Sequence, residues 1–127
     1  MKRKIALVLV AVLAISAVTT GLAIAGTRAR TTVTIQGPNG DFEGTVRSRD
    51  PGCRGDRIVR LFMATSANGP FERTGNMDTT EVQGNVGVWS MGNTGHRDGF
   101  FQARAKRTES CRAGRSPILE LDNGVPQ

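Results

Sequence analysis

The sequence predicts a single all-β domain, an antiparallel β-sandwich of about seven strands of the Ig-like or prealbumin-like type, over residues 26–127. Polar and apolar residues alternate with a period of two along most of this part, and no segment of it has a convincing helical period. Turn-forming clusters interrupt the alternation roughly every 8–12 residues, which is the spacing of short strands in a sandwich. A length of 127 residues fits one domain rather than two.

The first 25 residues predict a signal peptide. Residues 2–4 are basic, residues 5–18 form an apolar run, and residues 23–25 read Ala-Ile-Ala, a signal-peptidase site. We therefore expect cleavage before Gly26 and a secreted or otherwise extracytoplasmic protein. The alternative is an uncleaved membrane anchor, because residues 5–25 are long enough to cross a bilayer. Membrane contact is expected only through this segment.

The first strands follow from alternation and turns. Residues 31–36 are rich in Thr and Val and end at the turn cluster Gly-Pro-Asn-Gly of residues 37–40. Residues 42–48 alternate cleanly, so the Asn-Gly turn predicts a hairpin between the two segments. Residues 57–65 are apolar on both faces, which predicts a central strand or one covered by a neighbouring loop.

The second half is more polar. Residues 71–84 predict only short edge strands near 71–74 and 81–83, and residues 86–91 form a short strand around Trp89. Residues 100–106 form a strong strand, and residues 116–121 close the domain. The predicted core consists of the inward-facing residues Phe42, Val46, Val59, Leu61, Trp89, Phe101, Ala103 and Leu119 or Ile118.

Several of these residues occur in an order found in a known group of modules. They are Phe42, Gly44, Val46, Ser48, Cys53, Arg57, Val59, Leu61, Gly87, Trp89, Gly99, Phe101, Ala103, Cys111 and Ser116. Over roughly residues 31–121 this order resembles small exported β-sandwich modules of the prealbumin-like kind, similar to carboxypeptidase regulatory-like domains. The resemblance implies a stalk, an adhesion unit or an appendage to an enzyme, without common catalytic residues. The chain departs from the usual Thr-Asp-x-x-Gly turn, because Gly84, Asn85 and Val86 fill that place.

Cys53 and Cys111 are the only cysteines, and an even pair in an exported chain predicts one disulfide. The bridge would close a loop of 59 residues. Such a loop corresponds to a stabilisation of at most about 4 kcal/mol. Two free thiols with a redox role are the alternative, but the spacing is far from Cys-x-x-Cys.

The basic residues are spread along the chain. Three of the 17 cations lie at residues 2–4, so residues 26–127 carry 14 basic and 11 acidic side chains, a net charge of +3. All but Lys106 are arginines, a bias typical of a GC-rich bacterial genome. Nucleic-acid binders usually gather cations into one patch with aromatic residues between them. We therefore interpret the arginines as a dispersed, solvated surface and expect no nucleic-acid partner.

Candidate chemistry is sparse. His96 is the only His and lies near Asp98 in a Gly-rich loop, which leaves a small secreted hydrolase using His96 as an alternative function. Asn76, Asp78 and Glu81 offer oxygens to Ca²⁺ without the EF-hand spacing, so we predict no metal site and no cofactor. Trp89 could stack on carbohydrate, but its apolar neighbours favour the core.

The function expected from these observations is non-enzymatic: binding or a structural role in the cell envelope or outside the cell. No catalytic residue is predicted, and the partner is expected to be a protein or glycan of the envelope. Functional residues concentrate on loops, so the candidate binding loop is residues 93–98, with residues 76–81 as a neighbour. Its candidate side chains are Asn93, His96, Arg97 and Asp98.

Overall fold

Two antiparallel β-sheets face each other in residues 27–127, the part of the chain that the computed structural model describes. The predicted all-β sandwich is therefore confirmed. The signal peptide predicted at residues 1–25 and its cleavage site before Gly26 lie outside the described residues. Within residues 27–127 no helix is long and apolar enough to cross a bilayer.

The smaller sheet has four strands in the order β1-β2-β6-β5. These are β1 (Thr32–Val33), β2 (Asp41–Arg47), β5 (Glu81–Gln83) and β6 (Val86–Asn93). Thr32 pairs with Arg47 and Gln36 bridges to Glu43, so the hairpin predicted around residues 37–40 is confirmed. Asn39 adopts a left-handed conformation with φ of 58° in this turn, a conformation that Asn tolerates better than most residues.

The larger sheet has six strands: β10-β9-β7-β3-β4 in order, with β8 also paired to β7. These are β3 (Ile58–Ala64), β4 (Glu72–Thr79), β7 (Gly99–Ala105), β8 (Gly114–Arg115), β9 (Leu119–Asp122) and β10 (Val125–Pro126). Strand β3 lies between β7 and β4, as its two apolar faces predict. The sequence predicted about seven strands; three of the ten, β1, β8 and β10, have only two residues each.

The polar region 71–84 agrees with its prediction only in part. The short edge strand predicted near 81–83 is confirmed as β5, which pairs with β6 at the edge of the smaller sheet. The edge strand predicted near 71–74 is longer than expected, because β4 runs for eight residues along β3 in the other sheet. The chain changes sheets at Thr80, which is 2% exposed. Its hydroxyl donates to the Arg54 carbonyl at 2.6 Å and accepts from the Arg57 N–H at 2.9 Å. These bonds are between distant segments, so local polarity does not reveal them.

The core lies between the sheets and contains most of the predicted residues. Phe42, Val46, Val59, Leu61, Trp89, Phe101 and Ala103 are all fully buried. The last strand is the exception: Leu121 is buried, Leu119 is half-buried and Ile118 is 43% exposed. Leu121 was not among the predicted core residues, but the register of β9 against β7 puts it deeper than Leu119, opposite Gly99.

Candidate functional site

The predicted binding loop, residues 93–98, is fastened to its surroundings by its own polar groups. Asn93 Oδ1 accepts from the N–H of Gly95 at 3.0 Å. The N–H and the hydroxyl of Thr94 both donate to the Gly40 carbonyl, at 3.0 and 2.9 Å. The first half of the loop is thereby held against the hairpin turn.

The charged residues of the loop contact the turn between β9 and β10. Asp98 Oδ1 accepts from the Asn123 N–H at 2.7 Å, and Arg97 donates to the Asn123 carbonyl at 3.1 Å. His96 lies with its ring 6.2 Å from the Phe101 ring. The Asp98 carboxylate thus orients a backbone turn, and the side chains of the predicted loop contribute to the fold at this end.

The segment 76–81 does not adjoin that loop. Asp78 and Thr79 pair with the start of β3, whereas the loop leads into β7 beside Ala64, at the end of β3. Asp78 Oδ2 accepts from the Ser90 N–H at 2.8 Å. No group of three or more His, Cys, Asp or Glu side chains able to hold a metal occurs in residues 27–127. Trp89 is fully buried and belongs to the core.

A disulfide joins two loops at the other end of the sandwich. Cys53 and Cys111 are bonded, with 5.6 Å between their Cα atoms, and both are buried. The predicted bridge is therefore present, and it connects the loop before β3 to the loop after β7, two strands that pair directly. Asp50 caps the short 3₁₀ turn at Pro51–Cys53, because its Oδ1 accepts from the Gly52 N–H at 2.9 Å.

Beneath this disulfide lies a buried arginine that the sequence did not indicate. Arg57 is 1% exposed. Its guanidinium donates to the carbonyls of Cys53, Lys106 and Arg112 at 2.9 to 3.0 Å, and to the Thr31 hydroxyl at 3.0 Å. Burial lowers the pKa of Arg57 because the charged form loses hydration. One side chain therefore ties the amino-terminal segment to both disulfide loops.

The loops around the disulfide bring together six arginines, and we name this surface the arginine-rich end. They surround two adjoining cavities of about 680 and 390 Å³ that share Arg30 and Arg49. The six are Arg28, Arg30, Arg47, Arg49, Arg54 and Arg112. The one acidic residue among the lining residues is Asp50, whose Oδ1 is engaged by the Gly52 N–H.

Two of these arginines donate hydrogen bonds to neutral carbonyl groups rather than to carboxylates. Arg28 Nε donates to the Thr108 carbonyl at 3.2 Å, and Arg54 Nε donates to the Ser48 carbonyl at 2.9 Å. Neutral carbonyls orient the guanidinium groups without cancelling their charge. The interpretation of the arginines as dispersed is thus wrong for this group. The sequence signal was closeness to the cysteines, because Arg54 and Arg112 directly follow Cys53 and Cys111; Arg28 and Arg30 lie far from both cysteines in the sequence.

Comparison of the chain with protein-family models, with curated proteins and with solved structures finds no match.

Proposed function

We propose that this chain is an exported, non-enzymatic bacterial protein that binds an anionic glycan of the cell envelope through its arginine-rich end. Export rests on the leader of residues 1–25 with cleavage before Gly26, and the Cys53–Cys111 disulfide is consistent with an oxidising extracytoplasmic location. The finer resemblance to prealbumin-like modules, which serve as stalks or adhesion units, fits a binding role.

The observation that carries this proposal is the pair of cavities sharing Arg30 and Arg49. A guanidinium is always charged and presents a planar fork of donors that matches carboxylate and sulfate oxygens. Several such forks around one concave surface favour a ligand with several anionic groups. The disulfide and Arg57 hold the loops that carry them, so little backbone entropy would be lost on binding.

The charge distribution along the sandwich supports this assignment. Asp41, Asp98 and Asp122 lie at the opposite end with Arg97 beside them. At the arginine-rich end six arginines outnumber the acidic residues of the disulfide loops, Asp50, Asp56 and Glu109. Basic and acidic ends generate a field that orients an approaching anion toward the arginines. The loop 93–98, the earlier candidate, lies at the acidic end, and its side chains already contact the fold.

The alternative of a hydrolase using His96 gains no specific support. The Asp98 carboxylate accepts a hydrogen bond from the Asn123 N–H, and this bond orients the turn at Asn123 rather than the His96 imidazole. Replacement of His96 by Ala should leave anion binding unchanged. A substrate hydrolysed by the wild type but not by His96→Ala would contradict the non-enzymatic proposal.

A compact polyanion tests the arginine-rich end directly. Sucrose octasulfate, with sucrose as the neutral control, would be titrated into the oxidised protein at physiological salt and followed by calorimetry. The variant Arg30→Gln/Arg49→Gln should bind at least tenfold more weakly. The matched control Arg73→Gln/Arg97→Gln removes the same charge on β4 and in the loop 93–98 and should bind within about twofold of the wild type. Equal losses in both variants, or no binding by the wild type, would refute the site.

The leader is tested separately. Protein recovered from the extracytoplasmic fraction should begin at Gly26 by amino-terminal sequencing. A start at Met1 in the membrane fraction would support the uncleaved anchor instead.

A further inference from the structure

Three arginines that do not line the two cavities of the arginine-rich end form a row across the outer face of the larger sheet. Arg60 on β3 pairs with Arg104 on β7, and Arg104 pairs in turn with Arg115 on β8. Their sequence neighbours Val59, Leu61, Ala103 and Ala105 are buried, so the arginines point away from the core. We name these three residues the arginine row.

Like charges opposite each other on neighbouring strands are destabilising. Burial, and then the charge of Arg115, lower the pKa of Arg104, which reflects the same unfavourable placement. The nearest acidic position of β9 on this face, Glu120, pairs with Phe100, four residues before Arg104 on β7. Within residues 27–127, no carboxylate lies directly opposite these arginines on a neighbouring strand. The repulsion among the three cations is therefore not offset by a paired negative charge.

Arg104 is held in one orientation. Its Nε donates to Gln102 Oε1 at 2.9 Å, and Gln102 in turn donates to the Ser116 carbonyl at 3.0 Å. Its guanidinium carbon lies 4.1 Å from the centre of the Phe62 ring and 5.9 Å from that of Phe71. Within residues 27–127 the two terminal nitrogens of Arg104 have no hydrogen-bond acceptor. A stacked and tethered guanidinium with free terminal donors is pre-organised to bind an oxyanion.

A shallow cavity adjoins this group. Arg60, Phe62, Arg73, Arg104 and Lys106 contribute to its lining, and its volume is about 140 Å³. It is too small to enclose a large ligand, so a molecule bound here would lie along the sheet. Neighbouring strands are about 4.8 Å apart, so three strands place the guanidinium groups over roughly 10 Å.

We propose that the arginine row binds a linear anionic polysaccharide that lies across β3, β7 and β8, with its sulfate or carboxylate groups on successive guanidinium groups. A chain with repeated anions can occupy the whole row, whereas a single small anion reaches one or two members. A single-stranded nucleic acid would need free aromatic rings on which its bases stack. Phe62 is already covered by Arg104 at 4.1 Å, and the Phe71 ring faces the same guanidinium at 5.9 Å. This inference rests on Arg60, Arg104 and Arg115, none of which lines the cavities of the arginine-rich end.

The test uses long-chain dextran sulfate, with neutral dextran as its control, and the full exported chain with its disulfide intact. Because the arginine-rich end also attracts sulfated glycans, dextran sulfate binding is measured in the Arg30→Gln/Arg49→Gln background, where adding Arg104→Gln/Arg115→Gln should weaken it at least tenfold. With the arginine-rich end intact, Arg104→Gln/Arg115→Gln should bind sucrose octasulfate within about twofold of the wild type, whereas Arg30→Gln/Arg49→Gln should lose that compact ligand. Unchanged dextran sulfate binding on adding Arg104→Gln/Arg115→Gln in that background would overturn the arginine row while leaving the arginine-rich end intact.

Three further measurements test whether the oriented guanidinium binds the anion. In the Arg30→Gln/Arg49→Gln background, Arg104→Lys keeps the charge but loses the fork, so it should bind dextran sulfate at least threefold more weakly; full binding would overturn the role of the oriented guanidinium. Because removal of the two charges relieves like-charge repulsion, the thermal midpoint of Arg104→Gln/Arg115→Gln should stay well above the assay temperature, and a midpoint that does so excludes unfolding as the cause of lost binding. Tighter binding of oligo(dT) than of dextran sulfate at equal charge concentration would assign the face to nucleic acid and overturn the proposal.

Discussion

Arg57→Met removes the buried guanidinium that joins three segments at the arginine-rich end, and it replaces a long side chain by an apolar one. The change leaves the Thr31 hydroxyl and the Cys53 carbonyl, both bonded in buried surroundings, without their donor. The carbonyls of Lys106 and Arg112 are part-buried and regain water more readily. The loss of stability therefore comes mainly from the two buried acceptors.

Each buried acceptor without a donor costs about 1–3 kcal/mol. The loss of a desolvated charge offsets part of this cost, and Thr31 retains the bond that its hydroxyl donates to the Arg112 carbonyl at 2.7 Å. We expect the free energy of unfolding to fall by about 3 kcal/mol. At neutral pH that loss is far outside the range of ordinary surface substitutions, which is about 0.5 kcal/mol.

Urea unfolding of the oxidised protein, with linear extrapolation to zero denaturant, measures this difference, provided the slope is the same in both proteins. Arg60→Met is the matched control, because Arg60 lies on the outer face three residues along the chain and should change stability by no more than about 0.5 kcal/mol. A loss below about 1 kcal/mol for Arg57→Met, or equal losses in the two variants, would show that the four hydrogen bonds do not hold this end together.

Three other changes test the disulfide, the core and a close backbone approach. Replacing both Cys53 and Cys111 by Ser should lower the unfolding free energy by up to about 4 kcal/mol, and thiol labelling of the native protein should require a reductant; full labelling without one would contradict the bridge. Phe101→Ala should cost about 3–5 kcal/mol, because the ring is fully buried 4.7 Å from the Phe42 ring, and an equal loss in Arg104→Ala by the same urea assay would show that the faces of β7 are wrongly assigned. Gly87→Ala should sharply lower the thermal midpoint measured by circular dichroism, because a Cβ there would overlap the carbonyl oxygen of Arg54; an unchanged midpoint would mean that this loop can move aside.

The strands and their inward faces were largely predictable because alternation is a local property. A residue two positions along a strand faces the same side whatever the partner strand is. That is why Val59, Leu61 and Phe101 were placed in the core from the sequence. The disulfide was predictable for a different reason, since two cysteines allow only one intramolecular pairing.

The surroundings of the loop 93–98 and of Arg57 were much harder to predict. The loop 93–98 stood out because it is polar and Gly-rich, but its side chains were expected to face a partner rather than the turn at Asn123. Arg57 reads as an ordinary polar residue at the start of a strand, and only the carbonyls converging on it from distant segments explain its burial.

The sequence by itself determined that residues 26–127 would alternate into strands, which side chains of each strand would be apolar, and which two cysteines could pair. Tertiary structure alone decided that the chain crosses between sheets at Thr80. It likewise decided that six arginines from three separate segments of the chain surround two cavities and that three more line up across the larger sheet. The physical reason is that charge on a surface depends on which strands become neighbours, and strand order is set by long-range packing that no local pattern encodes.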